Sequence, residues 1–251
     1  MTTPQPPTDP YPVLGALARS LIMLAGIPDD ASTVDEQLVV IAKLAADRIA
    51  AVDYASVTAV RENTYTTVAA SSELAVAVDE AQYAEQAGPC LEPLHTGTPA
   101  PVPDMAAIMA WPGFRDQAVK MGLRASVSVP LFAGSGEPVA VLNLYAHDAA
   151  AMAPLTEAVW NVYKANPAAG GGEVADLEPG AAELIAGLAE AFAVRATIQQ
   201  AVGVIMARQG VGAFDAYLSL RARAAETGSS LTTTAAALLQ QFSDHGDRPN
   251  T

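Results

Sequence analysis

Apolar residues recur at helical spacing in two stretches near the start of the chain. Val13, Leu14, Leu17, Leu21, Ile22 and Leu24 form one stripe, beginning at about Tyr11 and ended by Gly26 and Pro28. Leu38, Ile41, Leu44, Ala45 and Ile49 form a second between Thr33 and Ala51, where Thr33 and Glu36 have the spacing of a capping box. The period then changes. Runs 54–60 and 64–69 are rich in β-branched and aromatic residues, and Arg61-Glu62-Asn63 between them predicts a hairpin. Ser71-Ser72 caps a predicted helix to about Tyr83, with Leu74 and Val78 inward. Gly88-Pro89-Cys90 opens a short helix to His95, 99–102 reads as a weak strand, and Trp111-Pro112-Gly113-Phe114 starts a helix to about Met121. Two stronger strands, 125–132 and 138–145, flank a turn of Gly134, Ser135 and Gly136. Helices around a central antiparallel sheet make an α+β domain.

The remainder is helical in pattern. Residues 154–164 form one predicted helix, and the Pro/Gly/Ala-rich segment 166–172 reads as a flexible loop. Between Gly180 and Ala207 only the isolated Gly187 and Gly203 interrupt helix formers. The expectation is therefore a single helix about 40 Å long, at 1.5 Å per residue. Leu184, Leu188, Ala191, Phe192, Arg195, Ile198 and Val202 lie mostly on one face of it, and Gly203 is expected to allow close helix contact. Two further stripes follow: Phe214, Tyr217, Leu218 and Leu220, then Leu231, Ala235, Leu238, Leu239 and Phe242. Gly210 and Thr227-Gly228 are stop signals, and Ser229 or Ser230 can cap the last helix. Helices this short are marginal alone in water, so the three must pack together.

The last part resembles the ANTAR domain, the three-helix RNA-binding output module of bacterial antitermination regulators. Ile198-Gln199-Gln200-Ala201, Gly203-Val204-Ile205-Met206, Arg208, Gly210-Val211, Ala216-Tyr217, Leu220-Arg221, Ala224 and Leu231 carry the resemblance. The chain departs from that pattern at Val202, often Lys in the family, and at Ser229, Ser230, Thr232 and Thr233, where basic residues are usual. These departures bear on the electrostatic grip on RNA rather than on the fold. Residues 15–148 resemble a GAF domain, a small-molecule or signal-sensing module. Gln82-Tyr83, Gly88-Pro89-Cys90, the Trp111 to Phe114 helix start, Ser126 to Leu131 and Ala140 to Tyr145 carry that likeness. The combination is similar to GAF–ANTAR transcription antitermination regulators of actinobacteria. The fold expected is α+β: an N-terminal antiparallel sheet flanked by helices, then a three-helix bundle joined to it by a long shared helix. Boundaries follow as a tail at 1–10, a sensor at 11–178, an output domain at 179–245 with its connecting helix at 179–207, and a tail at 246–251.

Charge modifies this picture. The formal net charge is −14. Residues 1–180 hold 21 acids against 8 bases, whereas 181–242 hold 4 of each. The output end is the least acidic part but lacks the basic stripe of an unassisted nucleic-acid binder. A single cysteine, Cys90, excludes an intramolecular disulfide and a thiolate-rich zinc site. No apolar run reaches a membrane span, and the proline-rich start is unlike a signal peptide, so a cytoplasmic location is expected.

Candidate chemistry is concentrated in two groups. Arg195, Gln199, Gln200, Arg208, Arg221 and Arg223 are the candidate RNA contacts, since arginine suits phosphate and can stack on unpaired bases. The plainer alternative is a solvated face, or pairing with Asp215 and Glu226. Tyr54, Tyr65, Tyr83, Cys90, Trp111, Met121 and Tyr145 could line a ligand pocket beside the sheet, or simply be core. A helix N-terminus would lower the Cys90 thiol pKa and make it a redox sensor; burial would make it inert. His95, His147 and His245 have no metal-ligand spacing. No Walker loop, nucleophile elbow or paired carboxylates appear, and methionine sulfoxide reduction on a GAF scaffold needs several cysteines, so neither an enzyme nor a cofactor is expected. The resemblance implies a homodimer that binds RNA hairpins in leader transcripts, with the long apolar-faced helix as interface and an unknown small-molecule or redox signal. The competing expectation is a ligand-sensing or protein-interaction module whose helical tail mainly dimerises and has lost RNA binding.

Overall fold

The computed structural model describes residues 14–30, 32–164 and 177–246, with side chains described as far as residue 242. Tyr11, Val13, the loop 166–172 and the expected tails lie outside the described residues, except Gly246, which ends the last helix. Five strands, β1 Tyr54–Arg61, β2 Thr64–Ala70, β3 Ala100–Val102, β4 Ala125–Phe132 and β5 Pro138–Ala146, form one antiparallel sheet in the order β2-β1-β5-β4-β3. Strand alternation gives the sheet two faces of different chemistry. Val57, Val127, Val129, Leu142 and Leu144 point to one face, into a core shared with α1 Ala16–Gly26, α2 Thr33–Arg48, α6 Ala149–Lys164 and α7 Pro179–Gln209. Ser56, Thr58, Ser126, Ser128, Asn143 and Tyr145 alternate with them on the other. That second face is covered by α3 Glu73–Glu85, α4 Glu92–Thr96 and α5 Pro112–Lys120, with a small core around Met105, Phe114 and Leu123.

Local chemistry sets most element ends. Ser72 accepts a hydrogen bond from the Ala75 amide and starts α3. Glu178 accepts from the Gly180 and Ala181 amides, and Pro179 occupies the first turn of α7, where its missing N–H leaves nothing unsatisfied. Glu62 and Asn63 both take left-handed backbone in the β1–β2 turn. The expected capping box of α2 does not form. Thr33 is already helical, and Ser32 at the cap position keeps helical torsions and makes no side-chain cap bond.

α7 is one helix of 31 residues, about 46 Å long at 1.5 Å per residue. Its first half lies along α1. Glu183 Oε1 accepts the Leu17 amide at 2.6 Å, so a carboxylate of α7 caps the N-terminus of α1. Gly187 brings the backbones together: a Cβ there would come within 2.6 Å of Ala18 Cα. The close-contact role expected of Gly203 is thus corrected, since nothing lies within 4 Å of a Cβ built at Gly203. The second half of α7 packs with α8 Ala213–Thr227 and α9 Leu231–Gly246 as three helices around Ile198, Ile205, Leu220, Leu231 and Leu238. Gly210 and Gly228 end α7 and α8 in left-handed conformation, and Ser230 Oγ accepts the Thr233 amide at the start of α9. No helix among the described residues is long and apolar enough to cross a membrane.

Candidate functional site

The six candidate RNA contacts separate into two sets. Gln200, Arg208 and Arg223 are exposed, the Arg208 guanidinium resting 5.0 Å from the Phe242 ring centre. The other three are held by the sheet-containing part. Arg195 Nε donates to Gly136 O at 2.9 Å, and its guanidinium lies 3.9 Å from the Phe132 ring centre. Gln199 Nε2 donates to Ser135 O at 2.6 Å. Arg221 pairs with Asp30 at 2.8 Å, rather than with Asp215 or Glu226. Beside it the Tyr217 hydroxyl lies 3.5 Å from Asp29 Oδ1, and burial, followed by the negative Asp29, raises the Tyr217 pKa to about 12.

Two expectations about the helices need correction. The inward stripe of α8 is Ala216, Tyr217, Leu220 and Ala224, whereas Phe214 is 72% exposed and Leu218 40% exposed. A rotation of the stripe by one position accounts for this, because small alanines serve as inward residues where α8 lies close to its neighbours. The apolar face of α7 is not left over for a dimer either. Leu184, Leu188, Ala191, Ile198 and Val202 are buried inside the single chain, against α1 and against the other bundle helices.

On the face of the sheet covered by α3, α4 and α5 lies a buried polar network. Asp79 of α3 accepts from Tyr145 Oη at 2.6 Å, Thr67 Oγ1 at 2.8 Å and Ser56 Oγ at 3.0 Å. Burial pushes its carboxyl up to about 6, against the lowering effect of these three bonds. Gln82 donates to Tyr145 Oη and accepts the Cys90 amide at 2.8 Å. Tyr83 Oη shares hydrogen bonds with Thr58 and Thr67, both 2.9 Å. Asn143 donates to Ser56, Thr58 and, at 3.4 Å, Asp79 Oδ1. Yet Ser126 Oγ, Ser128 Oγ and Asn143 Oδ1 are buried with no hydrogen-bond partner among the described residues. Orphaned buried polar atoms are uncommon, and a small polar guest or water is the usual explanation.

The seven candidate pocket residues all lie on or beside this face, but in different roles. Tyr83, Cys90 and Tyr145 belong to the network. Tyr65 stacks on Tyr83 and bonds His95 Nε2 at 2.7 Å, and Tyr54 meets His147 edge-on. Trp111 and Met121 bracket α5 at the rim of the small core. Cys90 is fully buried, and burial followed by the nearby Asp79 pushes its thiol up. The activating helix start expected for it is absent, because α4 begins two residues later at Glu92. An open cleft of about 560 Å³ lies elsewhere, lined by Asp29, Asp30, Arg61, His95 and Pro138 among others, and by none of the seven. Sequence reasoning missed Ser56, Thr58, Asp79, Gln82, Ser126, Ser128 and Asn143. The available signal was period-two polarity, Ser126/Ser128 and Asn143/Tyr145, inside two strongly apolar strands.

A family model described as GAF domain matches residues 31–160, more than half of the 251-residue chain. The chain belongs to the GAF domain family. A second model, described as ANTAR domain, matches residues 186–239. Against curated proteins the chain finds no match. The GAF match runs from the loop before α2 to the middle of α6, and so omits α1. The ANTAR match starts inside α7 and ends within α9. The GAF match ends before α7 and the ANTAR match begins within it; α7 packs along α1 in its first half and continues unbroken into the bundle.

Proposed function

We propose that this chain is a signal-responsive regulator that binds RNA hairpins in leader transcripts and prevents terminator formation. The GAF part receives a small-molecule signal at the polar face of its sheet, and the α7–α9 bundle is the RNA-binding output. The observation that supports this reading is the GAF match and the ANTAR match on one chain, with Gln200, Arg208 and Arg223 presented to solvent on the bundle. Buried orphan groups at Ser126, Ser128 and Asn143 favour a polar ligand over an apolar one. The high thiol pKa of Cys90 argues against a redox signal there.

Arg208→Glu combined with Arg223→Glu should weaken binding to a pool of paired hairpins with randomised loops by at least about tenfold, read by gel shift, because two favourable phosphate contacts become repulsive. Affinity equal to that of the unaltered chain would refute the assigned surface. A second reading has its own support. Phe214 and Leu218 form an exposed apolar pair on α8, and the bundle has no net positive charge, which suits a protein partner or a second copy of the chain. Sedimentation of the full chain with and without Phe214→Ser separates them: loss of a dimer with hairpin binding absent in both favours this second reading.

A further inference from the structure

We propose that the α1–α2 loop and the β4–β5 turn form a latch that holds part of the RNA-contacting face of the bundle closed; this rests on the RNA-binding reading above. Loop and turn are tied to each other first. The Gly134 amide donates to Ile27 O, and the Ser135 amide to Asp29 Oδ1, both at 2.8 Å. The joined segments present acceptors only: Ser135 O, Gly136 O and the carboxylates of Asp29 and Asp30. The bundle meets them with donors only: Arg195, Gln199, Tyr217 and Arg221. The seam closes tightly, since a Cβ at Gly134 would come within 2.7 Å of Leu231 Cδ1 and 2.9 Å of Tyr217 Oη.

This arrangement excludes RNA from the same groups. Arg195 has its Nε committed, and the face it would stack on a base is covered by Phe132. Arg221 spends its charge on Asp30. A phosphate arriving at Arg221 would face the Asp30 carboxylate, with Asp29 beside it at Tyr217. RNA and the sensor therefore compete for one set of side chains. By reciprocity, whatever opens the seam tightens RNA binding, and RNA binding opens the seam to the same degree.

The latch can be broken from the sensor side without touching the bundle. Asp30→Arg replaces the ion pair with like charges. Asp29→Asn with Asp30→Asn removes only the charges and keeps the Asn Oδ1 acceptor for Ser135. Gly136→Ala acts independently, because an alanine is strained at φ +84° and its Cβ would lie 2.3 Å from Gln199 Nε2, so the turn and the Gln199 contact must both shift. Each full-length variant is compared with the unaltered chain by phenylglyoxal labelling of Arg195 and Arg221, read by mass spectrometry, and by gel shift with the randomised-loop hairpin pool. Faster labelling of both arginines with about tenfold tighter hairpin binding is the expected result. Hairpin binding that is present but unchanged, while labelling accelerates, overturns the latch. No hairpin binding by any form, labelling again accelerated, sinks the RNA reading instead. Labelling that is equally fast in the unaltered chain shows that the seam is not closed in solution and also overturns the proposal.

Discussion

Asp79 shows at the residue scale how the sheet face is tuned. Burial opposes its ionisation more than the bonds from Tyr145, Ser56 and Thr67 favour it, so the folded chain holds the proton up to about pH 6, whereas an unfolded aspartate releases it near 3.8. Below pH 3.8 the carboxyl is protonated in both states and contributes no pH dependence. Between 3.8 and 6 the folded state binds more protons, so stability falls as pH rises. Above 6 the full penalty is present, about 3 kcal/mol for a shift of this size. Asp79→Asn removes the charge, and its amide can still accept from Tyr145 and Ser56 while bonding Thr67. The variant should gain about 1–3 kcal/mol at pH 7.5, some of the penalty being lost to rearranged hydrogen bonds, and almost nothing near pH 4. Denaturant unfolding at the two pH values measures it; equal gains at both would show that the carboxyl is not what the face strains to hold.

α7 decides how the two parts are joined, and its glycines separate packing from surface at the scale of the element. Gly187 faces Ala18 at backbone distance, so Gly187→Ala should push α1 and α7 apart and destabilise the chain by about 1–3 kcal/mol. Gly203 has open space around it, so Gly203→Ala should stabilise the helix by roughly 0.5–1 kcal/mol. If hairpin affinity nevertheless drops in the stabilised Gly203→Ala protein, the glycine is there for close approach of RNA. Thermal melts and gel shifts of the same two variants decide both points. Sequence could not distinguish them, because both are isolated glycines in a helical pattern, and which is crowded depends on where α1 lies. The helix itself was legible, as a run of helix formers from Gly180 to Ala207 with Gly210 as its stop. So were the hairpins, through Glu62-Asn63 and Gly134 to Gly136. The shift of the α8 stripe was not legible, since alanines carry too little hydropathy to mark an inward face against Phe214 and Leu218. Nor was the capture of Arg195, Gln199 and Arg221, which depends on acceptors from segments more than fifty residues away in sequence, two of them backbone carbonyls.

Across the whole molecule, charge and connectivity act on the same surface. The sensor part carries nearly all of the net −14, and Asp29 and Asp30 bring some of it to the bundle. β4 and β5 link the two sites physically. Ser128 and Asn143 are cross-strand partners at the polar face, and the same two strands end in the turn whose carbonyls hold Arg195 and Gln199. From Ser128 to the strand end at Phe132 is about 13 Å at 3.3 Å per residue, so a guest at the orphaned serines would act on the hairpin that forms the latch through one continuous strand. The number of arginines reaching RNA should then depend on the state of the seam, and salt reports that number. Each neutralised phosphate contributes roughly −0.7 to −0.9 to the slope of log affinity against log salt. With only Arg208 and Arg223 available, the slope for a hairpin should be about −1.4 to −1.8. With Arg195 and Arg221 released by Asp29→Asn and Asp30→Asn together with Gly136→Ala, which add no cation, it should steepen to about −2.8 to −3.6. Filter binding across a salt series gives both slopes directly. Equal slopes with different affinities would mean that the acidic loop acts by repulsion at a distance, and that the two held arginines never reach the RNA.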